Sequence, residues 1–202
     1  TGTTRDDEHV HSVLLDKVKD NKLELVIFTH PHGDHIGGII NNCFDDFIID
    51  TFVDYGYTYK TDGTGEIENA SYVERYEDKV RDLKEDGIKY YGIKDALKKI
   101  PTVYINKNED CYLRWLKHDF YLGINENFPN SKIPSDNPNT TSVSCYVHYK
   151  HWNIILCGDA DSGFTEESII SHQKNLFKDR DRVILKATHH GASSSNGYNF
   201  LE

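Results

Sequence analysis

The sequence predicts a mixed α/β fold, and three observations carry that prediction. Three runs rich in apolar and β-forming residues, 23–29, 153–157 and 183–187, read as buried strands. Two longer stretches, 7–20 and 69–86, place apolar residues at helical spacing. Each of the three strands ends in side chains able to ligate a metal: His30-Pro31-His32-Gly33-Asp34-His35, Gly158-Asp159 and Thr188-His189-His190.

Taken in order, the first element is a helix over 7–20, with Val10, Val13, Leu14 and Val18 recurring along it and Asn21 able to close it. The strand 23–29 follows. Residues 47–59 read as extended and 61–65 as a loop. The helix 69–86 sets Val73, Tyr76, Val80 and Leu83 in one stripe, and its charged run 74–86 reads as a solvated face. Short strands are expected at 89–91, 103–105 and 111–116. Residues 128–139 hold three of the five prolines and three asparagines, which makes them a loop before a strand at 142–149. Thr165 is the expected N-cap of a helix from Glu166 to about 177, with Glu166 and Glu167 favouring its first turn. No internal repeat is present.

At 202 residues the chain can bury a substantial core, and it reads as one domain. A formal charge of −10 argues against a surface that holds nucleic acid by broad phosphate neutralisation. It leaves room for a nuclease, because bound divalent cations add positive charge where a phosphate sits. Cys43, Cys111, Cys145 and Cys157 show no CxxC pairing, so no disulfide framework is expected and buried thiols are the better reading. With no long apolar run and no signal-peptide pattern, the expectation is a soluble segment without membrane contact, with the cytoplasm the favoured compartment. The chain starts at Thr1 and reads as a segment of something longer.

The density of donors in residues 30–35 is the strongest chemical signal. His30 and His32 stand two apart, so at an extended strand end they project from the same side, and the turn at Gly33 then delivers Asp34 and His35. Imidazole and carboxylate donors suit zinc, manganese or iron, and the lack of thiolates points to an open hydrolytic centre. Gly37-Gly38 permits close backbone approach. His9, His11, His118, His148, His151 and His172 read as surface or structural residues. Tyr55, Tyr57, Tyr59, Tyr72 and Tyr76 could form a base-stacking platform, but packing is the better reading.

These motifs carry a resemblance. THPHGDHIGG, residues 29–38, resembles the signature loop of the metallo-β-lactamase superfamily. Ile155-Leu156-Cys157-Gly158-Asp159 is similar to its later strand ending in Gly-Asp. The run 185–193, LKATHHGAS, resembles the LKxxHHGS element of one branch, the hydrolase domain of ComEC-type competence proteins, in which a segment similar to Asn139-Thr140-Thr141-Ser142-Val143 precedes the Gly-Asp strand. The resemblance implies an αββα sandwich over 1–202, with about 54–130 an unmatched insertion. The family normally opens with a strand ahead of the first helix and adds a strand and helix after Phe200, so the sandwich is expected to be truncated at both ends.

Carried over residue by residue, the resemblance makes His30 and His32 ligands of one metal and Asp34 and His35 ligands of another, with Asp159 bridging. His189 or His190 completes the second site. Asn139 stands where most of the superfamily has a third histidine for the first metal. Two divalent ions, zinc foremost and manganese second, would then activate water as the nucleophile. Asp34 would orient it, and whichever of the histidine pair is not a ligand, His190 in the nominal assignment, would assist the leaving group. Ser193, Ser194 and Ser195 could hydrogen-bond phosphate oxygens. The resulting expectation is a phosphodiesterase or nuclease. The alternatives are hydrolysis of a phosphorylcholine ester, lactone, thioester or β-lactam, and a non-catalytic binding or sensing module on the same fold.

Overall fold

The computed structural model describes residues 7–56, 70–122, 137–173, 176 and 182–201. The chain divides into two units, Thr1–Gly92 and Ile93–Glu202, each with its own sheet. The class is α/β, as expected. The expected loop 61–65 and most of the loop 128–139 lie outside the described residues.

In the first unit, α1 (Asp7–Lys17), β1 (Lys22–Ile27), α2 (Gly33–Ile40), β2 (Ile48–Asp54), α3 (Ala70–Glu85) and β3 (Lys89–Gly92) follow one another. The strands form a parallel sheet in the order β1-β2-β3. Parallel neighbours need crossovers, and α2 and α3 lie on the two connections. Val73, Tyr76 and Val80 are buried as the helical stripe requires, while Leu83 is half-buried. Phe28 packs between Phe52 and Tyr76, with ring centroids 5.3 and 5.8 Å away. The stripe on α1 is shallower: Val10 and Leu14 are half-buried and Val13 is exposed. Asn21 adopts φ +51°, the left-handed conformation that suits asparagine between helix and strand. α2 follows from no local propensity, since Gly37 and Gly38 disfavour helix, and it forms where buried Ile36, Ile39 and Ile40 give it a core face.

The second unit runs α4 (Ile93–Lys99), β4 (Thr102–Asn106), β5 (Cys111–Trp115), α5 (Asp119–Leu122), β6 (Cys145–Tyr149), β7 (Trp152–Leu156), α6 (Glu167–His172), β8 (Arg182–Leu185) and α7 (Tyr198–Leu201). Strands β4 to β7 are an antiparallel meander, and β8 joins β7 in parallel. Leu116, Tyr146, Cys157, Ala160 and Ile169 form a core cluster. The stretch 54–130 thus supplies ordinary elements to both sheets. α4 buries only Ile93 and Ala96, too short a pattern to show as a helical period.

Two expectations need correction. The strand expected at 142–149 begins at Cys145, because Ser142 closes a 3₁₀ turn over Pro138–Thr141 and Ser144 turns its carbonyl to the Leu116 amide. Thr165 is not a helix N-cap. The chain enters α6 through a wide turn over Ser162–Glu166 whose cap is Asp161, accepting from the Phe164 amide at 2.8 Å. Thr165 is buried inside that turn and donates to the Thr140 carbonyl. Glu166, beside it, stands at the N-cap position of α6 and is 1 % exposed. Among the described residues no helix is long and apolar enough to cross a membrane.

Candidate functional site

The first unit builds its donor cluster at the C-terminal end of β1. After Ile27 the chain keeps contact with β2 through the Phe28 amide and Val53 carbonyl, and this carries His30 into a fully buried position. His32 then occupies the N-cap position of α2 with extended backbone, φ −69° and ψ 144°. The helix starts at Gly33, so Asp34 and His35 fall in its first turn. His30 Nε2 and His32 Nδ1 face each other at 3.0 Å. His35 Nε2 lies 3.4 Å from Asp34 Oδ2. His30 with His32 and Asp34 with His35 thus form two adjacent pairs, with the His30 and His35 ring centroids 4.1 Å apart.

Thr29, to which the sequence assigns no role, sits behind the cluster. Its hydroxyl lies 3.0 Å from His30 Nδ1 and 3.2 Å from His35 Nδ1. When both Nδ1–H groups donate to that oxygen, both Nε2 atoms present their lone pairs on the other side of the rings, as metal-ligating histidines require. A threonine directly before an HxHxDH run is the signal that could have pointed to it.

The second unit brings its donors together through strand pairing. β7 and β8 are parallel neighbours, so their C-terminal ends share one edge of the sheet. Asp159 follows β7 and is 2 % exposed, and its amide donates to Ser142 Oγ at 3.1 Å. Its Oδ2 lies 3.8 Å from His189 Nε2 and 3.6 Å from His190 Nε2. The histidines differ in their surroundings. His189 is 30 % exposed with Ser194 Oγ 3.3 Å from its Nδ1, whereas His190 is 61 % exposed. Ser195 is buried and donates to the Ala160 carbonyl, which gives it a packing role rather than a place at a substrate. Asn139 is buried in the 3₁₀ turn beside Ser142, and among the described residues its Oδ1 accepts no hydrogen bond.

His189 and His190 have φ of 47° and 52°, and Gly191 follows at 82°. Left-handed backbone costs a non-glycine residue about 1–2 kcal/mol. Two adjacent histidines in that state persist only where the surroundings over-determine them, a condition that concentrates at functional sites.

The donors fit divalent metals. Two nitrogens on one tetrahedral zinc at about 2.0–2.1 Å are separated by roughly 3.3 Å, close to the 3.0 Å between His30 and His32. Asp159 and His190 likewise lie within the mutual separation that ligands of one ion show. Thiolate ligation is disfavoured at three of the four cysteines. Burial pushes Cys145 and Cys157 up to about 12, and burial with nearby Asp7 pushes Cys43 up to about 11.

Other candidate residues are absorbed into packing. Tyr55 and Tyr76 are buried with centroids 5.7 Å apart, and the Tyr76 and Tyr90 hydroxyls donate to Asp54 at 2.9 and 2.8 Å. A stacking platform for bases would need such rings exposed. Tyr57 and Tyr59 lie outside the described residues. His118 is buried against Tyr121, and burial holds it at about 3 despite the opposing pull of the Ser142 backbone and Asp119. His172 pairs with Asp119 at 2.6 Å, and His148 with Asn153 at 2.8 Å. No family model matches this chain, and no curated protein does.

Proposed function

We propose that the chain is a metal-dependent hydrolase on a metallo-β-lactamase-like αββα scaffold, and that it cleaves phosphodiesters. The observation that carries this reading is a pair of imidazole and carboxylate clusters, each at the C-terminal end of a β-strand: His30 and His32 at 3.0 Å, and Asp159 with two histidines within 3.8 Å. The chemistry of these donors suits two divalent ions, zinc or manganese. His30, His32, Asp34 and His35 would ligate metal from the first unit, and Asp159 with His190 from the second.

Bound ions of this kind supply Lewis acidity and bring a water molecule's pKa towards neutrality. Asp34 accepts a proton from the attacking water and orients it. Thr29 keeps the His30 and His35 rings turned with Nε2 outward. His189, whose Nδ1 is held by Ser194, hands a proton to the leaving oxygen from Nε2. The exposed Ser193 and Ser194 hydroxyls offer hydrogen bonds to phosphate oxygens. Nucleic acid is the natural phosphodiester this reading favours.

The test is hydrolysis of bis-p-nitrophenyl phosphate and of single-stranded DNA with added manganese or zinc, against a His32→Ala control. Metal-dependent turnover lost in the variant supports the reading. Turnover of nitrocefin or a thioester with none of either phosphodiester moves the substrate class to carbon esters and amides. No turnover above the control sinks it.

A further inference from the structure

Glu166 is a buried carboxylate for which the hydrolytic mechanism has no use, yet it touches both feet of the loop that carries the histidine pair. Its Oε1 accepts from the Thr188 hydroxyl at 2.8 Å and from the Asn196 amide at 2.6 Å, and its Oε2 accepts from the Gly197 amide at 2.7 Å. Asn196 reinforces the closure: its side chain accepts from the Thr188 amide at 2.9 Å and donates to the Thr188 carbonyl at 3.1 Å. Thr188 immediately precedes His189, and Asn196-Gly197 ends the loop. Within it, His189, His190, Gly191 and Asn196 all have positive φ. Local preference does not hold such a run, so ties at its base must.

We propose that Glu166 is a positioning residue that fixes the left-handed conformation of His189-His190 and so sets how the pair meets Asp159 and a metal. The significance of that geometry rests on the function proposed above, although the conformational role does not. The chemistry asks for glutamate specifically. All three groups facing the carboxylate are donors, which matches an ionised acid that only accepts. In Glu166→Gln the volume is kept, but the amide NH₂ must face at least one of those donors, which breaks that bond and sets donor against donor. Gly197 belongs to the same arrangement, since a Cβ there would stand 3.3 Å from Glu166 Oε2 and 3.1 Å from Ser162 Cβ.

The test compares metal-free wild type, Glu166→Gln and Thr188→Val by amide hydrogen exchange and by NMR of the imidazole rings, and then titrates each with zinc alone. In Glu166→Gln, exchange at Asn196 and Gly197 is expected to quicken by about tenfold or more, as loss of such bonds implies. The His189 and His190 ring resonances move, and the amides of β6 and β7 keep their protection. Zinc affinity falls by roughly 10–100-fold, the usual effect of removing a residue that orients ligands from behind. Thr188→Val removes one of the three donors, shows the same local pattern more weakly, and carries the test if Glu166→Gln does not fold. Unchanged exchange and ring resonances overturn the proposal. So does acceleration spread equally through β6 and β7, which marks general destabilisation. If wild-type protein takes up no zinc, the functional reading fails, while exchange and ring spectra still decide the role of Glu166.

Discussion

Thr29 Oγ1 lies 3.2 Å from Nδ1 of His35, six residues further along the chain, while also meeting its neighbour His30. One hydroxyl therefore fixes the ring orientation of two proposed ligands. Thr29→Val keeps the β-branched shape and removes only the oxygen. We expect zinc affinity to drop by roughly 10–100-fold with little change in the unfolding midpoint of the metal-free protein. Calorimetric titration checks this, and an unchanged affinity would show that the hydroxyl is incidental.

His118 gives a prediction for acid. Its pKa is depressed from the ordinary 6.5 to about 3 by burial, so between those values the unfolded chain binds a proton that the native state refuses. The stabilisation is present above about 6.5 and is lost as pH falls towards 3. In His118→Leu the slope of stability against pH in this window should be shallower by up to about 1.4 kcal/mol per unit. Urea unfolding at a series of pH values measures it, and parallel slopes for wild type and variant would refute the assignment.

The thiols give the opposite limb. Cys43, Cys145 and Cys157 are raised from 9.0 to about 11, 12 and 12. The native state thus keeps protons that the unfolded chain releases, and stability declines from about pH 9 upwards. At pH 8, iodoacetamide should label half-buried Cys111 in native protein and leave the other three until denaturant is added. Mass spectrometry of peptides after labelling decides it, and early labelling of Cys145 or Cys157 would mean that the β6–β7 core opens readily.

Gly92 closes β3 opposite Asp54, where a Cβ would stand 2.9 Å from the Gly56 Cα. Backbone cannot give way as a flexible side chain does, so Gly92→Ala should destabilise by about 1–3 kcal/mol through forced separation of β2 and β3. At Gly87, φ +84° with open space around it, alanine meets only backbone strain of about 1 kcal/mol. Denaturant midpoints of the two variants compare them directly, and a milder effect at Gly92 would contradict the close approach.

The legible parts of the molecule were those with local causes. The stripe Val73, Tyr76 and Val80 announces α3, and the crowding of His30, His32, Asp34 and His35 into six residues announces a cluster of donors because few structural needs collect them so tightly. Parallel pairing of β7 with β8 then explains why Asp159 and the histidine pair, some thirty residues apart, share an edge. What stayed hidden depends on distant partners. Glu166 looked like a first-turn acid because its donors at Thr188, Asn196 and Gly197 lie 22 to 31 residues away. Thr165 looked like a cap because its hydroxyl's partner, the Thr140 carbonyl, lies 25 residues away. α2 was masked by its glycines, whose low propensity is outweighed by burial of three isoleucines.

The central claim is that the two imidazole and carboxylate clusters, one in each unit, hold divalent ions. The most direct measurement is elemental analysis of zinc-supplemented protein after gel filtration, for wild type and Asp159→Ala side by side. The account predicts two equivalents per chain in wild type and fewer in the variant, because Asp159 is the carboxylate of the second unit's cluster. Zero equivalents in wild type, or two in both proteins, would contradict it.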